Sequence, residues 1–251
     1  MKKMFPTMLD SPDTRALAFG IPYWILAFFV FPAIISLSTI TSRGQDYEIW
    51  FEIGYHLLNF ILVIFFFFPY LRDAFLLVQV NTKEVLGTAA VCASLIVVLK
   101  LVAWIVAVLS GSTLIAQAAF GSLLTTETDL LFYSTAVLCE QPLWGTLCLG
   151  ILAPITTCCL LYASVFAPIC TTRPWLAYLV MTALFLLMRL TMALCLWPME
   201  EELAIFLVQL PVHLIACWAY EKTDTVWTPI VIHILVNLAM ALIVLCIIGI
   251  L

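Results

Sequence analysis

The sequence predicts an all-α protein, a polytopic transmembrane helical bundle of about seven spans with its N-terminus in the cytoplasm. Three observations lead there. Of 251 residues, 65% are hydrophobic and only 10% charged, against about 25% charged in soluble domains. The mean hydropathy is +1.17, and a chain so poor in polar surface cannot cover a globular core in water. Long apolar runs recur along the whole length, and a bilayer solvates them directly.

A span needs about 20 mainly apolar residues. Such runs lie at 16–40, 52–71, 86–109, 145–169, 174–197, 203–220 and 226–251. Residues 112–124 fit either a short interfacial helix or a partial insertion. Lys2 and Lys3 precede a run too long and too distant for a cleavable signal, and more runs follow. The chain reads as a single membrane domain over 1–251, without solenoid repeat or low-complexity linker.

Loop charge sets the orientation. Lys2, Lys3, Arg15, Arg72, Lys83, Arg173 and Lys222 fall on one side when the spans alternate. The other side holds Arg43 with Glu127, Asp129, Glu140 and the run Glu200, Glu201, Glu202, read as a solvated acidic loop. The basic side is cytoplasmic by this rule, which gives a multi-pass protein of the cell membrane with the lipid bilayer as its first partner. The net charge of -5 is spread thinly, and without a basic stripe nucleic-acid binding has no support. The nine cysteines lie mostly in apolar runs and read as small hydrophobes. Tryptophans near run ends, such as Trp24, Trp50, Trp175, Trp218 and Trp227, read as interfacial anchors.

Ionisable groups inside spans mark functional candidates. His233 and Asn237 are one helical turn apart on one face, and an imidazole nitrogen with a carboxamide oxygen can bind a metal, position water or join helices. Arg189 must snorkel, pair or face a polar cavity. Lys100, mid-run, needs a carboxylate or a cavity. His213 follows Pro211, which frees a carbonyl for it to bond. Glu52, His56 and Asn59 share a face at the start of the second run and read as a solvated helix end. No GxSxG, HExxH or Walker loop is present.

The segment Tyr220–Asn237, with a Tyr-x-x-Thr turn followed by HxxxN, resembles the closing motif of the CPBP family, the CAAX proteases and bacteriocin-processing enzymes of membranes. His233 and Asn237 fall on that motif. Residues 152–163, opening on Ala153-Pro154, resemble the family's EExxxR segment; Thr157 and Cys158 then stand at the paired glutamates and Tyr162 at the arginine. Residues 177–189 resemble the segment ending in FxxxH, with Phe185 matching and Arg189 at the histidine. The resemblance covers a core of about 140–240.

The resemblance implies an intramembrane metalloprotease in which a glutamate activates water and a divalent metal such as zinc, with His233 as a ligand, stabilises the oxyanion. Thr157 and Cys158 cannot replace a carboxylate base, and Arg189, always protonated, cannot bind a metal. The expectation is therefore a degenerate homologue, a pseudoenzyme binding a peptide or membrane-protein partner. Two other readings stand beside it: an active metalloendopeptidase with a rearranged site, drawing a carboxylate from Glu52 and a ligand from His56, and a transporter or channel component lined by Lys100, Arg189 and His233.

Overall fold

In lipid every backbone amide must find its partner within the protein, which leaves helices or closed barrels as spanning structures. The computed structural model describes residues 14–26, 45–111, 141–195 and 199–248, and these form seven helices: α1 (Thr14–Ile25), α2 (Gln45–Val80), α3 (Thr82–Leu109), α4 (Pro142–Cys170), α5 (Pro174–Cys195), α6 (Met199–Thr223) and α7 (Trp227–Ile248). Among the described residues, the helices from α2 to α6 contain five stretches long and apolar enough to cross a membrane; the apolar stretch of α7, Trp227–Ile243, is shorter. The chain is a multi-pass membrane protein. Of the expected first span only the part up to residue 26 is described, and residues 112–124 lie outside the described residues.

The helices outrun the apolar patterns. The second run, expected to end at 71, continues to Val80 through Pro69, because the exposed Arg72 pairs with Asp73 at 2.9 Å and keeps its charge outside the core. The sixth begins at Met199 and carries Pro211 without breaking. The phenylalanine run divides by face: Phe65 and Phe68 are exposed, and Phe67 is fully buried.

Helix α4 is the axis of the bundle, with 83% of its spanning window buried against 28% for α2, α3 and α5. It is not uniformly α-helical. Wider π turns occupy Cys148–Leu152 and Cys159–Phe166, and each lies just ahead of an Ala-Pro pair, Ala153-Pro154 and Ala167-Pro168. A proline ring inside a helix clashes with the carbonyl four residues back and removes one donor. Those carbonyls belong to Gly150 and Ser164, each inside a π segment, so widening the turn relieves the clash. Ser164 Oγ reaches back five residues to the Cys159 carbonyl at 3.2 Å, the π spacing.

Two clusters pack around this axis. One joins α2, α4, α5, α6 and α7 through Phe67, Cys158, Tyr162, Phe166, Met181, Cys217, Tyr220 and Ile230. The other closes α3 against α6 and α7 through Ala89, Cys92, Ile96, Val212, Ala219, Ile232, Val236 and Met240. The cysteines at 92, 148, 158, 159 and 217 are buried and unbridged, as small hydrophobes.

One end of the bundle is pinned by polar contacts. Tyr70 and Tyr220 share a hydroxyl contact at 3.2 Å, Trp227 Nε1 donates to the Leu71 carbonyl at 2.9 Å, and Tyr178 OH donates to Glu221 at 2.7 Å. Trp227 thus ties α7 to α2, whereas Trp50, Trp175 and Trp218 are exposed. Asp224, at φ 55, takes the left-handed turn out of α6, a conformation aspartate tolerates. Thr225 Oγ1 then accepts from the Trp227 amide at 3.3 Å and starts α7.

Helix α1 lies across the second π segment of α4. Phe19 stacks on Phe66 at 3.8 Å and on Tyr23 at 4.8 Å, and Tyr23 OH donates to Asn59 Oδ1. Asn59 and His56 are buried, so the expected solvated end of α2 is instead a contact face covered in part by α1; the side chain of Glu52 lies outside the described residues. The close approach occurs at Gly20, where a Cβ would strike Ser164 Oγ and lie 2.9 Å from Phe67 Cζ. Gly20→Ala is expected to cost about 1–3 kcal/mol through overpacking, read as a lower Tm of the purified protein in detergent. Gly87→Ala, at a site with nothing within 4 Å, is expected to leave Tm unchanged or raise it by the equivalent of about 0.5–1 kcal/mol through helix propensity.

Candidate functional site

On α6 the buried positions Glu202, Phe206, Gln209, His213, Cys217 and Tyr220 recur at intervals of three, four or so residues and therefore share a face. That face meets α5 and α4. Arg189 on α5 lies opposite the first turns: its Nη1 is 3.4 Å from Glu202 Oε2 and its Nη2 donates to Gln209 Oε1 at 2.6 Å. Its guanidinium also lies 5.5 Å from the centre of the Phe185 ring one turn earlier. The side chains of Arg189 and Glu202 are 9% and 3% exposed, so the pair is desolvated and its attraction is barely screened.

Glu202 corrects the expectation of a solvated acidic loop. Glu200 is exposed, but Glu202 sits on the inward face of the first turns of α6, where a buried cation requires a counter-charge. Arg189, expected to snorkel, pair or face a cavity, pairs.

The next turn brings in the imidazoles. His213 stacks on Phe185 at 5.3 Å and 15°, and its Nε2 is 4.0 Å from Cys217 Sγ. Tyr162 of α4, fully buried, lies between three helices: its ring centre is 6.3 Å from that of His213, 6.1 Å from that of His233 and 6.5 Å from that of Tyr220. His233 comes from α7. One turn later Asn237 Nδ2 donates to the Leu149 carbonyl at 2.8 Å, a carbonyl inside the first π segment. Asn237 Oδ1 is buried and has no hydrogen-bond partner among the described residues.

The fold thus gathers four of the six motif positions at one place. Tyr162 and His233 touch directly, Arg189 joins them through Phe185 and His213, and Asn237 holds α7 to α4. Thr157 and Cys158 are buried about one turn earlier on α4, and Cys158 shares a core cluster with Tyr162. Lys100 is buried at 1% exposure on the α3 face that carries Ala89, Cys92 and Ile96 against α6 and α7.

Sequence reading gave His213 only a structural role, misjudged Glu202 and passed over Gln209. The signal was present: Glu202, Gln209, His213 and Tyr220 stand seven, four and seven residues apart in an apolar helix, a period that keeps them on one face.

A zinc site takes three or four protein donors. Among the described residues no group of three His, Cys, Asp or Glu side chains could hold a metal ion, and the cation beside His213 is a guanidinium already engaged by Glu202 and Gln209. The described donor set does not fit a catalytic metal.

These features define a helical membrane protein with a polar centre buried between four helices. Residues 139–239 match the family model Rce1-like, type II CAAX prenyl endopeptidase Rce1-like. Over that stretch the chain is similar to the type II CAAX prenyl endopeptidases, and the match contains Thr157, Cys158, Tyr162, Arg189, His233 and Asn237. No curated protein and no solved structure matches the chain.

Breaking a buried ion pair on one side strands a charge in low dielectric. Glu202→Ala is expected to destabilise the protein by about 3–5 kcal/mol, while the double substitution Arg189→Met with Glu202→Leu recovers most of that loss; unfolding of both variants in detergent micelles measures the difference. Equal loss in both would mean that the pair is not the source of the stability.

Proposed function

We propose that this protein is a catalytically degenerate CAAX protease-like membrane protein that binds a peptide or membrane-protein partner without cleaving it. The observation that carries the reading is the engagement of Arg189, at the position expected for histidine, by Glu202 and Gln209, next to a Tyr162 that stands where the family places arginine. Hydrolysis by the family's route needs a carboxylate free to take a proton from water. Thr157 and Cys158 offer none, and Glu202 is already paired with Arg189.

The proposed orientation places the N-terminus in the cytoplasm. Arg72, Lys83, Arg173 and Lys222 support it: all are exposed, and they lie at the end of the bundle where α2, α5, α6 and α7 are tied together. Lys222 Nζ sits 5.0 Å above the Trp218 ring, an arrangement suited to headgroup depth.

The test uses purified protein in lipid nanodiscs and a fluorescent farnesylated peptide ending in a CAAX sequence. Expected are saturable binding and a cleavage rate equal to that of His233→Ala. Cleavage that His233→Ala abolishes would make the protein an active endopeptidase, and absence of saturable binding would remove this class of partner.

A further inference from the structure

The lipid-facing side of α6 is as ordered as its buried side. Leu207, Pro211, Leu214, Trp218 and Lys222 are all exposed. They follow one another at steps of four, three, four and four residues, so they lie in one stripe along the helix. The stripe is apolar up to Trp218 and ends on an ammonium.

Lys222 is not turned out toward water. A helical Cα–Cβ bond tilts toward the N-terminus, and α6 begins at the opposite end of the bundle, so the side chain is aimed back along the span. Its Nζ lies 5.0 Å from the centre of the Trp218 ring, one turn deeper. It also acts electrostatically on the Cys92 thiol of α3, ten residues past the first residue of that helix, or about 15 Å along it. No carboxylate meets the ammonium: among the described residues the ion pairs are Arg72–Asp73 and Arg189–Glu202. Glu221, its neighbour in the chain, accepts instead from the Tyr178 hydroxyl of α5 at 2.7 Å. A ring face stabilises an ammonium by about 0.5–2 kcal/mol but leaves its charge in place.

We propose that this stripe holds one anionic phospholipid, its phosphate paired with Lys222, its headgroup beside Trp218 and one acyl chain along Leu214, Pro211 and Leu207. The length fits. Leu207 to Trp218 is eleven residues, about 16 Å of helix, and one leaflet of a ~30 Å hydrocarbon core is about 15 Å deep. The indole N–H of Trp218 is a donor suited to a phosphate or ester oxygen at the membrane boundary. Charge selects the lipid. Phosphatidylcholine brings its own quaternary ammonium, which competes with Lys222 for the phosphate, whereas phosphatidylglycerol carries a negative charge and no cation. The stripe lies on the side of α6 away from the polar centre, so the site is independent of whether the protein binds a prenylated peptide.

The experiment uses the full chain in phosphatidylcholine vesicles that receive phosphatidylglycerol or phosphatidylcholine brominated near the top of one acyl chain. Bromine quenches tryptophan fluorescence on contact, and the difference between the wild-type protein and Trp218→Phe isolates the Trp218 signal. Brominated phosphatidylglycerol is expected to occupy the site about fivefold more readily than brominated phosphatidylcholine, the effect of one lysine on an anionic headgroup. Lys222→Gln and Lys222→Met, the second keeping the stem against the ring, are expected to abolish that preference, and Lys222→Arg to keep it. Arg173→Gln, at the same end on the turn between α4 and α5, is expected to leave it unchanged, as is excess glycerol phosphate in solution. Absence of a preference in the wild-type protein overturns the proposal, and so does a full preference in the Gln and Met variants. An equal fall in Arg173→Gln overturns it in favour of a general surface potential, and displacement by glycerol phosphate overturns it in favour of a site for free phosphate. If one Lys222 variant aggregates, the other is read in its place.

Discussion

A guanidinium inside a membrane bundle organises what surrounds it. Arg189 keeps its charge at any accessible pH, so the fold must supply a counter-charge and acceptors or leave a large desolvation cost unmet. Glu202 supplies the charge and Gln209 the carbonyl, and both come from α6. The antiparallel packing of α5 on α6 is thereby fixed in register as well as in contact. Phe185 and His213 stack within that register, and Tyr162 meets His213 in turn. Removing the cation would relax the requirement that orders the polar centre.

The second constraint is the widened course of α4. Two Ala-Pro pairs force π turns in the most buried helix. A π turn leaves carbonyls without their usual partners, and the Leu149 carbonyl is taken up by Asn237. Asn237 belongs to a motif that suggests chemistry, yet half of its amide serves to join α7 to α4. The second π segment carries Tyr162 and Ser164, the residues against which α6, α7 and α1 pack.

Much of the candidate site was legible by alignment to motifs: Tyr162, Arg189, His233 and Asn237 do converge. Position on a helix face was legible too, since His233 and Asn237 are one turn apart. What escaped was the role of the residues on α6. Glu202 looks like one of three loop carboxylates because sequence does not tell which of three neighbours turns inward, and only Arg189 on another helix decides it. Gln209 is unremarkable until it is seen to accept from that arginine. His56 and Asn59 sat at an expected helix end and are buried because α2 begins earlier, at Gln45, and α1 meets Asn59 through Tyr23.

Composition and run length by themselves determined that the chain is helical and crosses a membrane, because lipid leaves a backbone no other way to satisfy its amides over so many apolar residues. Proline spacing in α4 and the face carried by α6 were also fixed in the sequence. Which charges neutralise each other, which imidazole meets which phenol, and where helices touch closely enough to demand Gly20 were decided by tertiary packing. Those are relations between residues 13 or more positions apart, and local pattern carries no information about partners so distant.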